Sequence, residues 1–270
     1  MRVRNGWVLV ASLALTISVA ACGGNTDTSA PAPAGAPVAA GGGGGDRVDP
    51  ATAGELKGTV VLDGVAPQNA LIKMLADPAC MREAQGEQAM ETYVVGRDGK
   101  SLANVFVYVK DGLGSYVFDT PTEKVTFDQR QCRYRPHVFG IRVGQPLEIV
   151  NSDPTLHNIH AMAQVNREFN NGQPIQGQKT LHTFTAKEVM LPFKCDVHGW
   201  MNAFVGVLDH PYFAVTSADG TFNMRSLPPG TYTIEAWHEK LGTMTQSVTI
   251  GAKETKDIAF TFKVPATATN

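Results

Sequence analysis

The stretch Lys194-Cys195-Asp196-Val197-His198-Gly199-Trp200-Met201 puts a thiol, an imidazole and a thioether at C-x2-H-x2-M spacing. Upstream, Asp153-Pro154-Thr155-Leu156-His157-Asn158 supplies a second imidazole. Segments that alternate like strands flank both motifs: 147–151 before the first, 184–193 before the second and 203–208 after it. The potential donors therefore belong to turns held between strands.

The same alternation runs through most of the chain, at 57–62, 103–110, 137–142, 212–216, 221–225, 231–238, 244–250 and 257–262. Asp219-Gly220 joins two of these segments as a hairpin turn, and Leu227-Pro228-Pro229-Gly230 marks another turn. A helix is expected only around 78–90, inside an irregular insertion. Many short strands at this spacing predict an all-β chain built of sandwiches.

Two histidines, one cysteine and a weak axial methionine make the ligand set of a blue-copper site. His157, Cys195, His198 and Met201 fill those places, and the cofactor expected is one type 1 copper. Zinc fits less well, because Met is not among its usual ligands. A dinuclear copper centre needs a second Cys in the loop, and Cys195 is alone there. His160 competes with His157, but residues three apart in a strand point to opposite faces, so one metal takes one of them. His137, His182, His210 and His238 are scattered, with no spacing that suggests a second site.

The copper stretch resembles the cupredoxins, the plastocyanin and amicyanin family, over about 125–208. Val143-Gly144-Gln145-Pro146-Leu147-Glu148-Ile149-Val150-Asn151 looks like the family's strand before the first ligand loop. Leu156-His157-Asn158-Ile159 looks like its first-ligand motif, and Leu191-Pro192-Phe193-Lys194-Cys195 like the strand entering the second. The short loop is most similar to that of amicyanin. The resemblance implies a Greek-key sandwich with His157, Cys195 and His198 in a trigonal plane and Met201 as the long axial ligand. Pro154 before His157 and Asn158 after it favour His157 over His160. The resemblance further implies that Asn158 hydrogen-bonds across to the second loop. Trp200 would form a docking and electron-access patch over the His198 ring, or else plug a contact between domains.

A second resemblance lies in 212–262, where Thr216-Ser217-Ala218-Asp219-Gly220-Thr221-Phe222 and Pro229-Gly230-Thr231-Tyr232 look like a carboxypeptidase-regulatory-like (transthyretin-like) sandwich. Its first strands are missing there and look present as Gly58-Thr59-Val60-Val61-Leu62-Asp63-Gly64 and Leu102-Ala103-Asn104-Val105. A nested arrangement is expected: first strands and an insertion in 54–120, the copper domain in 121–209, the rest of the sandwich in 210–264 and a disordered tail at 265–270. One elongated copper domain decorated at both ends is the alternative.

The first residues, Met1-Arg2-Val3-Arg4, are basic, and 7–21 are apolar but too short for a bilayer span of about 20 residues. Val19-Ala20-Ala21-Cys22 resembles a bacterial lipobox. Residues 1–21 read as a lipoprotein signal, with Cys22 as the lipidated terminus; an ordinary signal peptide is the alternative. Residues 22–53 are rich in Gly, Ala and Pro and read as a disordered tether. This predicts a periplasmic protein anchored to a membrane, with Gly23 rather than Asp after Cys22 leaning toward an outer membrane; the fallback is a soluble periplasmic or secreted protein. The chain has four cysteines. Cys80 and Cys132 remain once Cys22 and Cys195 are assigned, and in an exported chain they are expected to bond to each other. Two further metal ligands are the alternative.

The net charge of −2 and the lack of basic patches argue against nucleic acid as a partner. No G-x-S-x-G, H-E-x-x-H or H-x-x-E motif points to a hydrolase, and no small-molecule substrate is expected. The function expected is one-electron transfer between a redox-protein donor and acceptor. Copper scavenging or delivery, and a cell-envelope binding module with a structural metal, are the alternatives.

Overall fold

The structure is a computed structural model that describes residues 45–264. The leader, the lipidation residue Cys22, most of the tether and the tail at 265–270 lie outside the described residues. Among the described residues no helix is long and apolar enough to cross a membrane.

Two β-sandwiches take up all of the described strands. In the first, β1 (Gly54–Asp63) lies between β13 (Thr221–Leu227) and β16 (Thr255–Lys263). It runs antiparallel to β13 and parallel to β16. The facing sheet has the order β12 (Phe213–Val215), β2 (Phe106–Asp111), β14 (Gly230–His238), β15 (Gly242–Ile250). The alternation in β1 turns Leu56, Val60 and Leu62 inward, against Phe222, Met224, Phe260 and Phe262 of its own sheet and Val107, Ile234 and Val248 of the other. A large side chain fully buried in this way contributes about 2 kcal/mol relative to exposure.

Between β2 and β12 the chain leaves this sandwich and builds the second. One of its sheets has the order β5 (Val138–Arg142), β11 (Asn202–Leu208), β10 (Glu188–Lys194), β7 (His157–Ala161), β8 (Phe169–Gln173). The other has the order β4 (Tyr134–Arg135), β3 (Val125–Gln129), β6 (Pro146–Asn151), β9 (Lys179–Thr183). Phe127 anchors the core between them, with its ring centroid 5.2 Å from those of both Phe139 and Phe193.

A third apolar layer joins the sandwiches. Phe106, Tyr108, Val138, Met190 and Leu208 are buried there, with Phe204, Phe213 and Trp237 packed against them. The Phe106 and Phe213 rings stack at 5.7 Å and lie over Gly206 and Gly140. A Cβ at Gly206 would overlap the Phe106 ring, and one at Gly140 the Phe213 ring. These strand glycines let a ring approach the backbone.

The long connection from β1 to β2 carries α1 (Pro78–Glu83). Asp77 caps it, with Oδ1 accepting from the Ala79 and Cys80 N–H groups, and Pro78 sits where no donor is needed. The helix is shorter than the expected 78–90. It ends at Ala84 because Gln85 and Gly86 take positive φ, 51° and 111°. Cys80 is disulfide-bonded to Cys132, which lies between β3 and β4. Arg133 donates to the Ala89 carbonyl at 2.6 Å and pairs with Glu91 at 2.9 Å. The insertion is thus fastened to the second sandwich.

Two other expectations are corrected. β3, β4, β7, β8 and β9 lie outside the expected strand segments; β9 alternates only between exposed and half-buried positions, so its pattern is faint. Residues 45–53, expected as the end of a disordered tether, are ordered against the body. The Val117 N–H donates to the Asp46 carbonyl at 3.0 Å and Ser115 Oγ to the Asp46 carboxylate at 2.7 Å. Arg47 pairs with Asp119 at 2.8 Å.

Candidate metal centre

His157 opens β7, and the 195–201 loop joins β10 to β11. The loop is closed by its own backbone: the Cys195 N–H donates to the Met201 carbonyl at 3.0 Å, and the Met201 N–H to the His198 carbonyl at 2.9 Å. The His198 N–H donates to Cys195 Sγ at 3.4 Å. Antiparallel pairing of Phe193 and Lys194 with Ala161 and His160 brings the two ligand segments side by side.

His157 Nδ1 and His198 Nδ1 come within 2.9 Å of each other, and Cys195 Sγ lies 3.9 Å from His198 Nδ1. All three donor atoms fall within 4.8 Å of one another. Their residues are buried, His157 at 0 % exposure, Cys195 at 2 % and His198 at 3 %. Met201 is buried in the same cluster as Cys195. Cys195 is a free thiol, while Cys80 and Cys132 form a disulfide.

The far side of each imidazole meets a carboxylate. His157 Nε2 lies 2.9 Å from Asp153 Oδ2, and His198 Nε2 lies 2.9 Å from Asp77 Oδ2. A carboxylate accepts the Nε2 proton and leaves the Nδ1 lone pair outward. Two such lone pairs 2.9 Å apart, beside a sulfur, repel one another unless a proton or a metal ion sits among them. The donor set of two imidazoles, one thiol and a buried thioether fits copper.

The electrostatics follow from these contacts. Burial pushes the Cys195 thiol up, but hydrogen bonds from the His157 and His198 imidazoles, in the form protonated at Nδ1, outweigh it and bring it down to about 6. Burial pushes His157 down, yet Asp153 and Cys195 raise it above the ordinary imidazole value. His198 is raised by Cys195 and Asp77 against the same effect of burial. The thiolate form needed for metal binding is thus favoured near neutrality.

Asp153 is itself held by two successive left-handed residues. Gln131 (φ 58°) and Cys132 (φ 51°) turn their N–H groups onto its two oxygens at 2.7 and 2.8 Å. Asn158 Oδ1 accepts the Asp196 N–H at 2.8 Å and lies 3.2 Å from Cys195 Sγ. It therefore spans the two ligand segments. His160 faces away from the centre, with Nδ1 at 3.0 Å from Asp196 Oδ2 and Nε2 at 2.6 Å from Glu168.

Trp200 packs against His198, the rings tilted at 41° with centroids 5.0 Å apart, and donates its indole N–H to the Cys132 carbonyl at 2.9 Å. The expected electron-access edge at His198 is not open. Asp77 covers Nε2, and Cys80 Sγ approaches it to 3.6 Å. Sequence reading missed Asp77 and Asp153 as contacts of the ligands. Asp153 stands inside the quoted His157 motif and could have been flagged. Asp77 belongs to a distant irregular segment, with no spacing to reveal it.

Residues 201–263 match the family model described as the carboxypeptidase regulatory-like domain. The matched range takes in β11 and β12 to β16, while β1 and β2, which complete the same sandwich, lie outside it. No curated protein matches the chain. Among solved structures, an amicyanin variant in its Cu(I) form is 22 % identical, over 33 % of this chain and 86 % of that one, with a TM-score of 0.29. A purple cupredoxin from Nitrosopumilus maritimus is 26 % identical, over 28 % of this chain and 81 % of that one, with a TM-score of 0.25. A copper-containing nitrite reductase from Thermus scotoductus is 21 % identical with a TM-score of 0.31. The likeness covers 37 % of this chain and only 25 % of the reductase.

Proposed function

We propose that the protein is a blue-copper electron carrier, with a single type 1 copper held by His157, Cys195 and His198 and with Met201 as the axial ligand. The observation that carries this reading is the buried convergence of two Nδ1 atoms and the Cys195 sulfur within 4.8 Å. Copper bound there would supply one-electron chemistry, and thiolate with imidazole suits both of its oxidation states. The residues do the rest. The sandwich fixes His157, the closed 195–201 loop fixes Cys195 and His198, and the buried surroundings exclude water. In this reading the chain takes an electron from one redox protein and hands it to another. It is held to the periplasmic face of a bacterial membrane, an outer one by preference, through Cys22.

A second reading is copper holding and delivery. The burial of His198 beneath Asp77 and Cys80 favours it, because a covered edge slows contact with a redox partner.

The test is a visible spectrum of the protein after Cu(II) addition and desalting, with Met201→Ala alongside. An intense thiolate-to-copper band, bleached by ascorbate and shifted in the variant, supports the carrier. A colourless protein that retains stoichiometric Cu(I) sinks it in favour of copper holding.

A further inference from the structure

We propose that Asp77, which comes from the insertion and not from the sandwich that carries the ligands, is a positioning residue of the metal centre. The inference rests on the copper reading above. His198 Nε2 meets Asp77 Oδ2 at 2.9 Å just as His157 Nε2 meets Asp153 Oδ2 at 2.9 Å. One carboxylate therefore backs each imidazole and turns its Nδ1 toward Cys195.

Asp77 is held in place for this task. Its Oδ1 accepts the Ala79 and Cys80 N–H groups at 2.7 and 3.1 Å. Its Oδ2 accepts the Thr155 hydroxyl at 3.1 Å, two residues before His157. The next turn of chain is bonded covalently to the sandwich through Cys80–Cys132. Asp77 thus touches the segments of both histidines while it closes the His198 edge, which is 3 % exposed. Its negative charge stabilises the more positive metal state, so its loss weakens Cu(II) binding more than Cu(I) binding. By the same geometry, the 121–209 segment expressed alone would carry every ligand and still lack this group.

The test compares the full-length protein with Asp77→Ser and Asp77→Asn. Serine is a good helix cap but its side chain is too short to reach His198; asparagine keeps the shape and removes the charge. The expected result is a Cu(II) affinity reduced about tenfold more than the Cu(I) affinity, which raises the reduction potential by about 59 mV. In the Zn(II)-loaded protein, nitrogen-15 NMR should show a protected His198 Nε2–H in wild type and rapid exchange in Asp77→Ser. Wild-type potential and wild-type Nε2–H protection in variants that melt like wild type would overturn the proposal. If wild type shows no thiolate-to-copper band, the copper reading fails, and the Zn(II) measurement still decides the role of Asp77.

Discussion

The Nδ1 atoms of His157 and His198 lie 2.9 Å apart although 41 residues separate them in sequence. Each imidazole is pinned at Nε2 by a carboxylate, from Asp153 and Asp77. An arrangement that sets two lone pairs face to face is costly when empty and favourable when an ion fills it. A proton or a metal ion between them relieves that repulsion, and a metal bound there would couple its binding to folding.

Copper should stabilise the protein by a measurable margin. At a free concentration a thousand times the Kd, binding adds about 4 kcal/mol. Melting with and without copper reads this directly. Cys195→Ser, which keeps the shape of a buried residue, should abolish the charge-transfer band and most of the copper-induced rise in Tm. An equal rise in wild type and variant would place the metal elsewhere.

The disulfide should carry much of the insertion's stability. Cys80 and Cys132 are 52 residues apart. Removing a cross-link across a loop of that length costs about 4 kcal/mol in the chain-entropy treatment. Cys80→Ser with Cys132→Ser should lower the denaturation midpoint accordingly. It should also expose His198 to modification by diethyl pyrocarbonate, since Asp77 and Cys80 would no longer be tethered over it. Unchanged protection of His198 would show that the insertion docks without its covalent tie.

Gly206 should tolerate no side chain. A Cβ there would overlap the buried Phe106 ring, and overpacking of this kind costs about 1–3 kcal/mol. Gly206→Ala should lower stability by that amount, and Phe106→Leu should recover part of it, a coupling a double-mutant cycle measures. Additive losses would mean that the two do not share one contact.

Acid should destabilise the fold through two buried histidines distant from the metal centre. Burial holds His210 down to about 4, with Lys187 and Arg142 pushing the same way and Asp209 opposing. Burial likewise holds His238 down to about 4, aided by His137 and opposed by Glu239. Unfolded, each titrates near 6.5, so unfolding takes up a proton at pH values between about 4 and 6.5. The stability from the neutral forms is complete above about 6.5 and falls as the pH drops toward 4, by about 2–3 kcal/mol for each histidine. Asparagine can place an oxygen where His238 Nδ1 accepts the Lys240 and Leu241 N–H groups and where His210 Nδ1 accepts the Tyr212 N–H. His210→Asn with His238→Asn should flatten the fall of Tm between neutral and mildly acid pH; parallel curves for wild type and variant would exclude both residues as its source.

The donor types and their spacing could be read from the chain, because Cys195, His198 and Met201 share one short loop. The strands were legible wherever one face is buried and the other wet, as in β1 and β13. β9, with no fully buried position, left little pattern to find. The end of the 78–90 helix was misjudged because nothing in composition shows that Gln85 adopts a positive φ. The cover over His198 was not legible either, since local sequence carries no trace of a group that arrives from a segment more than a hundred residues away.

By itself the sequence determined the all-β character and the residue types offered to a metal, and it led to the expectation, which the structure bears out, that Cys80 pairs with Cys132. Each of these depends on short-range alternation or on the chemistry of single side chains. The resemblance already suggests that 58–64 joins the sandwich of 212–262, but only the tertiary structure decided that β1 lies between β13 and β16. It also decided that Asp77 and Asp153 back the two imidazoles and that the site is closed at His198. Those outcomes depend on where packing sets segments distant in sequence, and burial of apolar surface, which drives that packing, is not directional.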